Sequence, residues 1–144
     1  MPLVVRHALI SLLIMPLVLL PATAKADDGD DIRRLMMKTF DRQDAPLKID
    51  PVTVRDDLAV AGWTQADAGG RALLRQSNGE WSLTFCGGDA LKQAGFLRDQ
   101  GMRAAAADQF AAEIAAAEAR TDPSMVAQFS RFDGVIPMSG LSQR

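Results

Sequence analysis

Sulfur is the reactive element this chain offers most distinctively, in one cysteine, Cys86, and seven methionines. Cys86 closes the apolar run from Trp81 and is followed by Gly87-Gly88-Asp89, a turn that should open a helix. A nearby helix N-terminus and a basic neighbour both favour the thiolate, and the hairpin register derived below sets Arg71 across from Cys86. The commoner state of an unpaired cysteine is that of a small buried hydrophobe. Thiolate and thioether are soft ligands suited to Cu(I), so the methionines matter as well. Met36 and Met125 fall on apolar helix faces and read as packing residues, whereas Met37, Met102 and Met138 lie off-face, in a loop or near the tail. Cys86, Met37 and Met138 are therefore the candidate metal ligands.

Other reactive chemistry is thinly supplied. The single histidine is His7, and it lies in a segment that reads as an export leader. Residues 1–7 carry Arg6, residues 8–20 are apolar apart from Ser11, with Pro16 breaking the run, and Ala24-Lys25-Ala26 fits a small-residue cleavage site. Cleavage after Ala26 leaves residues 27–144 without imidazole. Serine and cysteine nucleophiles then lack their usual base, and zinc or Cu(II) their commonest ligand. No G-x-S-x-G elbow, phosphate-binding glycine loop, C-x-x-C or H-E-x-x-H occurs. Asp56, Asp57, Asp67 and Asp89 stand near expected strand ends, where carboxylates mostly form turns and caps; nothing in their spacing pairs two of them around a pocket. The run Asp27-Asp28-Gly29-Asp30-Asp31 lacks the ligand ladder and closing glutamate of a calcium loop and reads as a solvated lead into a helix. The expectation is a protein that is not an enzyme.

The leader also sets the compartment. Its thirteen-residue apolar stretch is shorter than the ~20 residues a bilayer-crossing helix needs, so the product should be exported to the periplasm and should not span a membrane after cleavage. Loss of Arg6 and Lys25 leaves fourteen basic against eighteen acidic residues, a net charge of −4. That sign, with no basic run, disfavours nucleic acid as a partner. One cysteine permits no intrachain disulfide. The remaining 118 residues suit one domain with its own core.

The elements that must position these residues follow from periodicity. Ile32, Leu35, Met36 and Phe40 recur at helical spacing, which predicts an amphipathic helix over residues 31–41. From 47 to 87 short β-branched and aromatic runs alternate with turn residues, predicting a four-stranded antiparallel meander near 52–55, 58–65, 71–76 and 81–86. Asn78-Gly79 tolerates the positive φ of a two-residue hairpin. That loop pairs Gln76 with Trp81, Leu74 with Leu83, Ala72 with Phe85 and Arg71 with Cys86. Trp81 and Phe85 should then face the first helix and Cys86 the more polar side. Helices are expected over 90–96, with Asp89 as N-cap, over 104–120 with Glu118 facing solvent, and from Pro123, with an edge strand near 135–138. Helix, meander, helices is an α+β order, with helices covering one face of the sheet; a cystatin-like or nuclear-transport-factor-like (NTF2-like) roll is the nearest common shape.

At the level of the whole chain the sequence resembles the small exported bacterial proteins called copper uptake system-associated proteins. The resemblance is carried by the segments 32–41, Ala61-Gly62-Trp63-Thr64-Gln65, 69–75, the 81–89 strand with Cys86, Phe132-Asp133-Gly134 and Met138. It implies a periplasmic accessory to copper acquisition, acting beside a copper chaperone and outer-membrane receptor components; the sulfur ligands, if they hold copper, suit it as Cu(I). The tail here, residues 139–144, has no histidine. The alternative is a periplasmic ligand- or protein-binding roll with no metal role, in which the concave sheet face shapes a pocket.

Overall fold

The computed structural model describes residues 27–139; the expected leader lies outside them. The first helix, α1 (Asp28–Phe40), begins three residues earlier than its apolar spacing predicts. Asp27 caps it, its side chain accepting from Gly29 N at 3.1 Å, which satisfies one of the orphan amides of the first turn. Asp28 also ties the helix to the sheet by accepting from Trp81 Nε1 at 3.2 Å and Gln76 Nε2 at 3.3 Å. The acidic run is thus the start of the helix, aligned with the positive end of its dipole.

The meander is present: β1 (Leu47–Arg55), β2 (Leu58–Gln65), β3 (Ala68–Ser77) and β4 (Glu80–Gly87), joined by two-residue turns. A short edge strand, β5 (Val135–Pro137), completes an antiparallel sheet in the order β1-β2-β3-β4-β5. A 3-10 turn (Asp89–Lys92) and three helices, α2 (Ala94–Asp99), α3 (Ala104–Glu118) and α4 (Pro123–Phe129), fill the chain between β4 and β5. This is an α+β fold, as its element order implied. The helices, however, occupy both faces. Helix α1 covers Ala59, Ala61, Ala72, Leu74 and Trp81 on one side, while α2 and α3 cover Leu58, Val60 and Leu73 on the other. Strict alternation along β2 and β3 makes both faces apolar, so each needs its own helical cover.

The hairpin register holds from Ser77–Glu80 to Leu74–Leu83 and then shifts. Thr84 is an extra residue, so Leu73 pairs with Phe85, Ala72 with Cys86 and Arg71 with Gly87. Such a bulge exchanges the faces of everything beyond it. Phe85 therefore leaves the α1 side and meets Phe96 of α2 edge-on, with centroids 5.6 Å apart, and Cys86 joins the α1 side. Edge strand β5 continues this rung, Ile136 lying opposite Cys86, and Met138 N donates to the Thr84 carbonyl at 2.8 Å.

Close approach of α4 to the sheet explains why β2 and β3 carry glycine where strands usually do not. A Cβ at Gly62 would stand 2.5 Å from the Phe129 ring, and one at Gly69 2.8 Å from the Gln128 Cβ. Asp67-Ala68-Gly69-Gly70, whose composition suits a turn, is therefore a turn only at its start: Ala66-Asp67 make the turn, with Ala66 at φ 50°, and Gly69 and Gly70 lie within β3. Gly62→Ala should lower unfolding stability by ~1–3 kcal/mol through overpacking, and urea denaturation checks this. An unchanged midpoint would contradict the close contact.

Candidate functional site

The described chain builds two groupings of chemically capable side chains, one apolar and lined by sulfur, the other charged. The first is a cavity of about 350 Å³ on the α1 side of the sheet. On the sheet side it is bordered by Cys86 and Ile136, which pair across β4 and β5. Gly70 stands beside Trp63 and adds no bulk. The walls come from Met36 and Phe40 at the end of α1, Leu47 at the start of β1, Trp63 and Gln65 on β2, Phe132 after α4, and Met138 after β5. Trp63 and Phe132 pack edge-on with centroids 6.1 Å apart.

Three sulfur-bearing residues from distant parts of the chain thus line one space: Met36, Cys86 and Met138. Of the candidate ligands, Cys86 and Met138 are brought together and Met37 is not. Met37 follows Met36 by one residue, about 100° around the helix, and is 38 % exposed outside this lining. Met36, read from its periodicity as a packing residue, is the methionine of α1 that lines the cavity. Its inward position was legible; the presence of a cavity beneath it was not.

Cys86 differs from its expected setting. The bulge places it opposite Ala72, away from Arg71, and among apolar neighbours. Burial pushes its thiol up to about 11 from an ordinary 9.0, because a desolvated thiolate has no compensating charge there. The helix-terminus and arginine effects anticipated for it are absent among the described residues. Its alkylation at pH 8 should therefore run ~100-fold slower in the native protein than in urea, following the two-unit loss of thiolate. A native rate equal to the denatured one would contradict this environment.

The rim of the cavity is held by polar bonds. Gln65 Nε2 donates to the carbonyls of Phe40 and Ala45, both at 2.8 Å, and Asp41 accepts from Leu47 N at 2.8 Å. These fasten the turn between α1 and β1 against the sheet. The Trp63 indole N–H is buried without a hydrogen-bond acceptor among the described residues.

The charged grouping lies on the opposite side of the sheet. Arg71 is fully buried. Its Nε and Nη2 donate to the two carboxylate oxygens of Glu118 at 2.6 and 2.9 Å, its Nη1 donates to Asp89 at 3.0 Å, and the guanidinium lies 5.4 Å from the centroid of the Phe129 ring. Glu118 is 7 % exposed rather than solvent-facing. Lys92 Nζ stands 3.6 Å from Glu118 and 3.7 Å from Asp89. The Asp89 carboxyl is held below its usual range by the Ser130 hydroxyl bond first, then by Lys92 and Arg71. Asp89 is therefore not an N-cap; Gly88 occupies that position without a side-chain bond. Two carboxylates converge here, but both are neutralised by cations, and the cluster ties α3, the 3-10 turn and β3 together. Asp57 is paired to Arg75 at 2.7 Å, and Asp56 and Asp67 occupy turns.

Among the described residues no group of three or more His, Cys, Asp and Glu side chains is gathered as metal ligands, and no helix is long and apolar enough to cross a membrane. Comparison with protein-family models, with curated proteins and with solved structures finds no match for this chain.

Proposed function

We propose that this protein is a non-enzymatic periplasmic accessory to copper uptake or homeostasis that holds Cu(I) between the sulfurs of Cys86, Met36 and Met138. The observation that carries this reading is their convergence, from β4, α1 and the segment after β5, on one apolar cavity. A thiolate with two thioethers is a donor set that prefers Cu(I) to harder divalent ions. A site with little water around it would also resist the oxidation to Cu(II) that nitrogen and oxygen ligands favour. Bound copper would supply a soft Lewis-acidic ion; the chain would supply Cys86, whose thiol proton is released to solvent as the metal binds, two neutral thioethers and exclusion of solvent. Ile136, half exposed beside the cavity, suits contact with a copper chaperone or an outer-membrane receptor component that delivers or removes the ion.

Titration of the mature chain with Cu(I) under reducing conditions, against a chromophoric Cu(I) chelator, tests the reading. One ion per chain is expected, with affinity unchanged in Met37→Leu. Absence of competition with the chelator would remove the intrinsic site.

A second reading rests on volume. A space of about 350 Å³ is far larger than one ion fills and falls within the ~300–1,000 Å³ of small-molecule pockets. On this reading the protein is a periplasmic ligand-binding α+β domain, and Cys86 is a wall residue.

A further inference from the structure

Two of the residues that line the cavity, Ile136 and Met138, belong to β5 and the position just after it. This is the least anchored part of the wall. Strand β5 is three residues long and pairs only with β4, at the edge of the sheet. Ile136 and Pro137 are exposed, and Pro137 has no amide to offer a further strand. Two backbone bonds flank that short ladder, from Gly88 N to the Gly134 carbonyl at 3.4 Å and from Met138 N to the Thr84 carbonyl at 2.8 Å. Gly134 stands at φ 75°, a conformation that glycine adopts without steric cost. The other walls are fastened more firmly. Asp28 ties α1 to the sheet, Gln65 and Asp41 clamp the α1–β1 turn, and β2, which carries Trp63, is paired on both sides. Segments with few buried contacts open locally while the core stays folded.

We infer that residues 135–138 form a strap, hinged at Gly134, which leaves β4 as a unit to open the cavity and is held shut when Met138 ligates Cu(I). The closing step rests on the copper reading; the opening rests on the geometry of the ladder alone. Ile136 pairs with Cys86, so one movement uncovers the cysteine and withdraws Met138. Loading then needs no rearrangement of the core, because α1 and β4 keep Met36 and Cys86 in place while the third sulfur arrives with the strap. A ligand shifts such an equilibrium only by the difference between its affinities for the two states, and here that difference is the thioether of Met138.

Amide hydrogen exchange of the mature chain, followed residue by residue by NMR with and without Cu(I), tests both steps. Without metal, the Gly88 and Met138 amides should share one level of protection, about 100-fold below that of the β2 and β3 amides, and hold it in urea below the unfolding transition. Saturation with Cu(I) should slow both by about tenfold, the ratio of affinities with and without the Met138 thioether, and Met138→Leu should lose that slowing. Gly88 as protected as β3 while Met138 exchanges fast would reduce the movement to a fraying end and overturn the strap. Core-like protection of both amides would overturn it as well. If competition with the chelator shows Cu(I) bound and neither amide slows, the closing step falls. If it shows no Cu(I) bound, the copper reading falls and takes the closing step with it, while the metal-free exchange still decides the opening.

Discussion

Replacing Glu118 with alanine should destabilise the fold by ~3–5 kcal/mol, because it leaves the buried Arg71 guanidinium without its bidentate partner. The remaining partner, Asp89, is half exposed and bonds only Nη1, so it cannot neutralise the charge inside the core. A loss of this size is a large part of the ~5–15 kcal/mol that holds a typical domain together. Arg71→Met should be nearly as costly, since it leaves the Glu118 carboxylate buried beside a half-exposed Lys92. The double variant Arg71→Met with Glu118→Leu should recover much of the loss, because apolar residues of similar volume often replace a buried pair without penalty. The exposed pair Arg55–Glu113 supplies the contrast: Glu113→Ala should cost no more than ~1 kcal/mol. Urea unfolding of these variants provides the measurement. A Glu118→Ala midpoint as mild as that of Glu113→Ala would show that the guanidinium finds water or another partner.

Cys86→Ser should abolish measurable Cu(I) binding while leaving the fold intact. The thiolate is the one anionic ligand available in the cavity, and a hydroxyl cannot take its place at neutral pH. Loss of even an outer-shell partner lowers metal affinity ~10–100-fold, so removal of this ligand should exceed 100-fold. Met36→Leu and Met138→Leu conserve volume and should each weaken binding by about tenfold. Met37→Leu, one residue away on the helix but outside the cavity, should change nothing. Equal effects of Met36→Leu and Met37→Leu in competition titrations would show that the helix contributes packing rather than a ligand.

Much of this molecule follows from local rules, and its failures trace to a few long-range contacts. Asn78-Gly79 set the β3–β4 register correctly as far as Leu74–Leu83, and the period of Ile32, Leu35, Met36 and Phe40 oriented α1. The bulge at Thr84 could not be read from hairpin chemistry, since its carbonyl is engaged by Met138, more than fifty residues later in the chain. That one inserted residue moved Phe85 and Cys86 to opposite sides and separated Cys86 from Arg71. Once Arg71 is placed on the α3 side, Glu118 acquires a reason to be buried; on an alanine-rich helix considered alone it looks like any solvent-facing acid. Gly69 has the composition of a turn residue and Gly62 carries no signal of its own; only the position of α4 shows why both lie in strands without a side chain. The sulfurs were legible as a set, and which methionine faces Cys86 depended on where β5 and α1 meet the sheet.

X-ray absorption at the copper edge of the Cu(I)-loaded protein tests the central claim most directly. The account predicts a first shell made only of sulfur, reduced by one sulfur in Met138→Leu and unaltered in Met37→Leu. Nitrogen or oxygen neighbours in the wild-type spectrum, or a spectrum unchanged by Cys86→Ser, would contradict it.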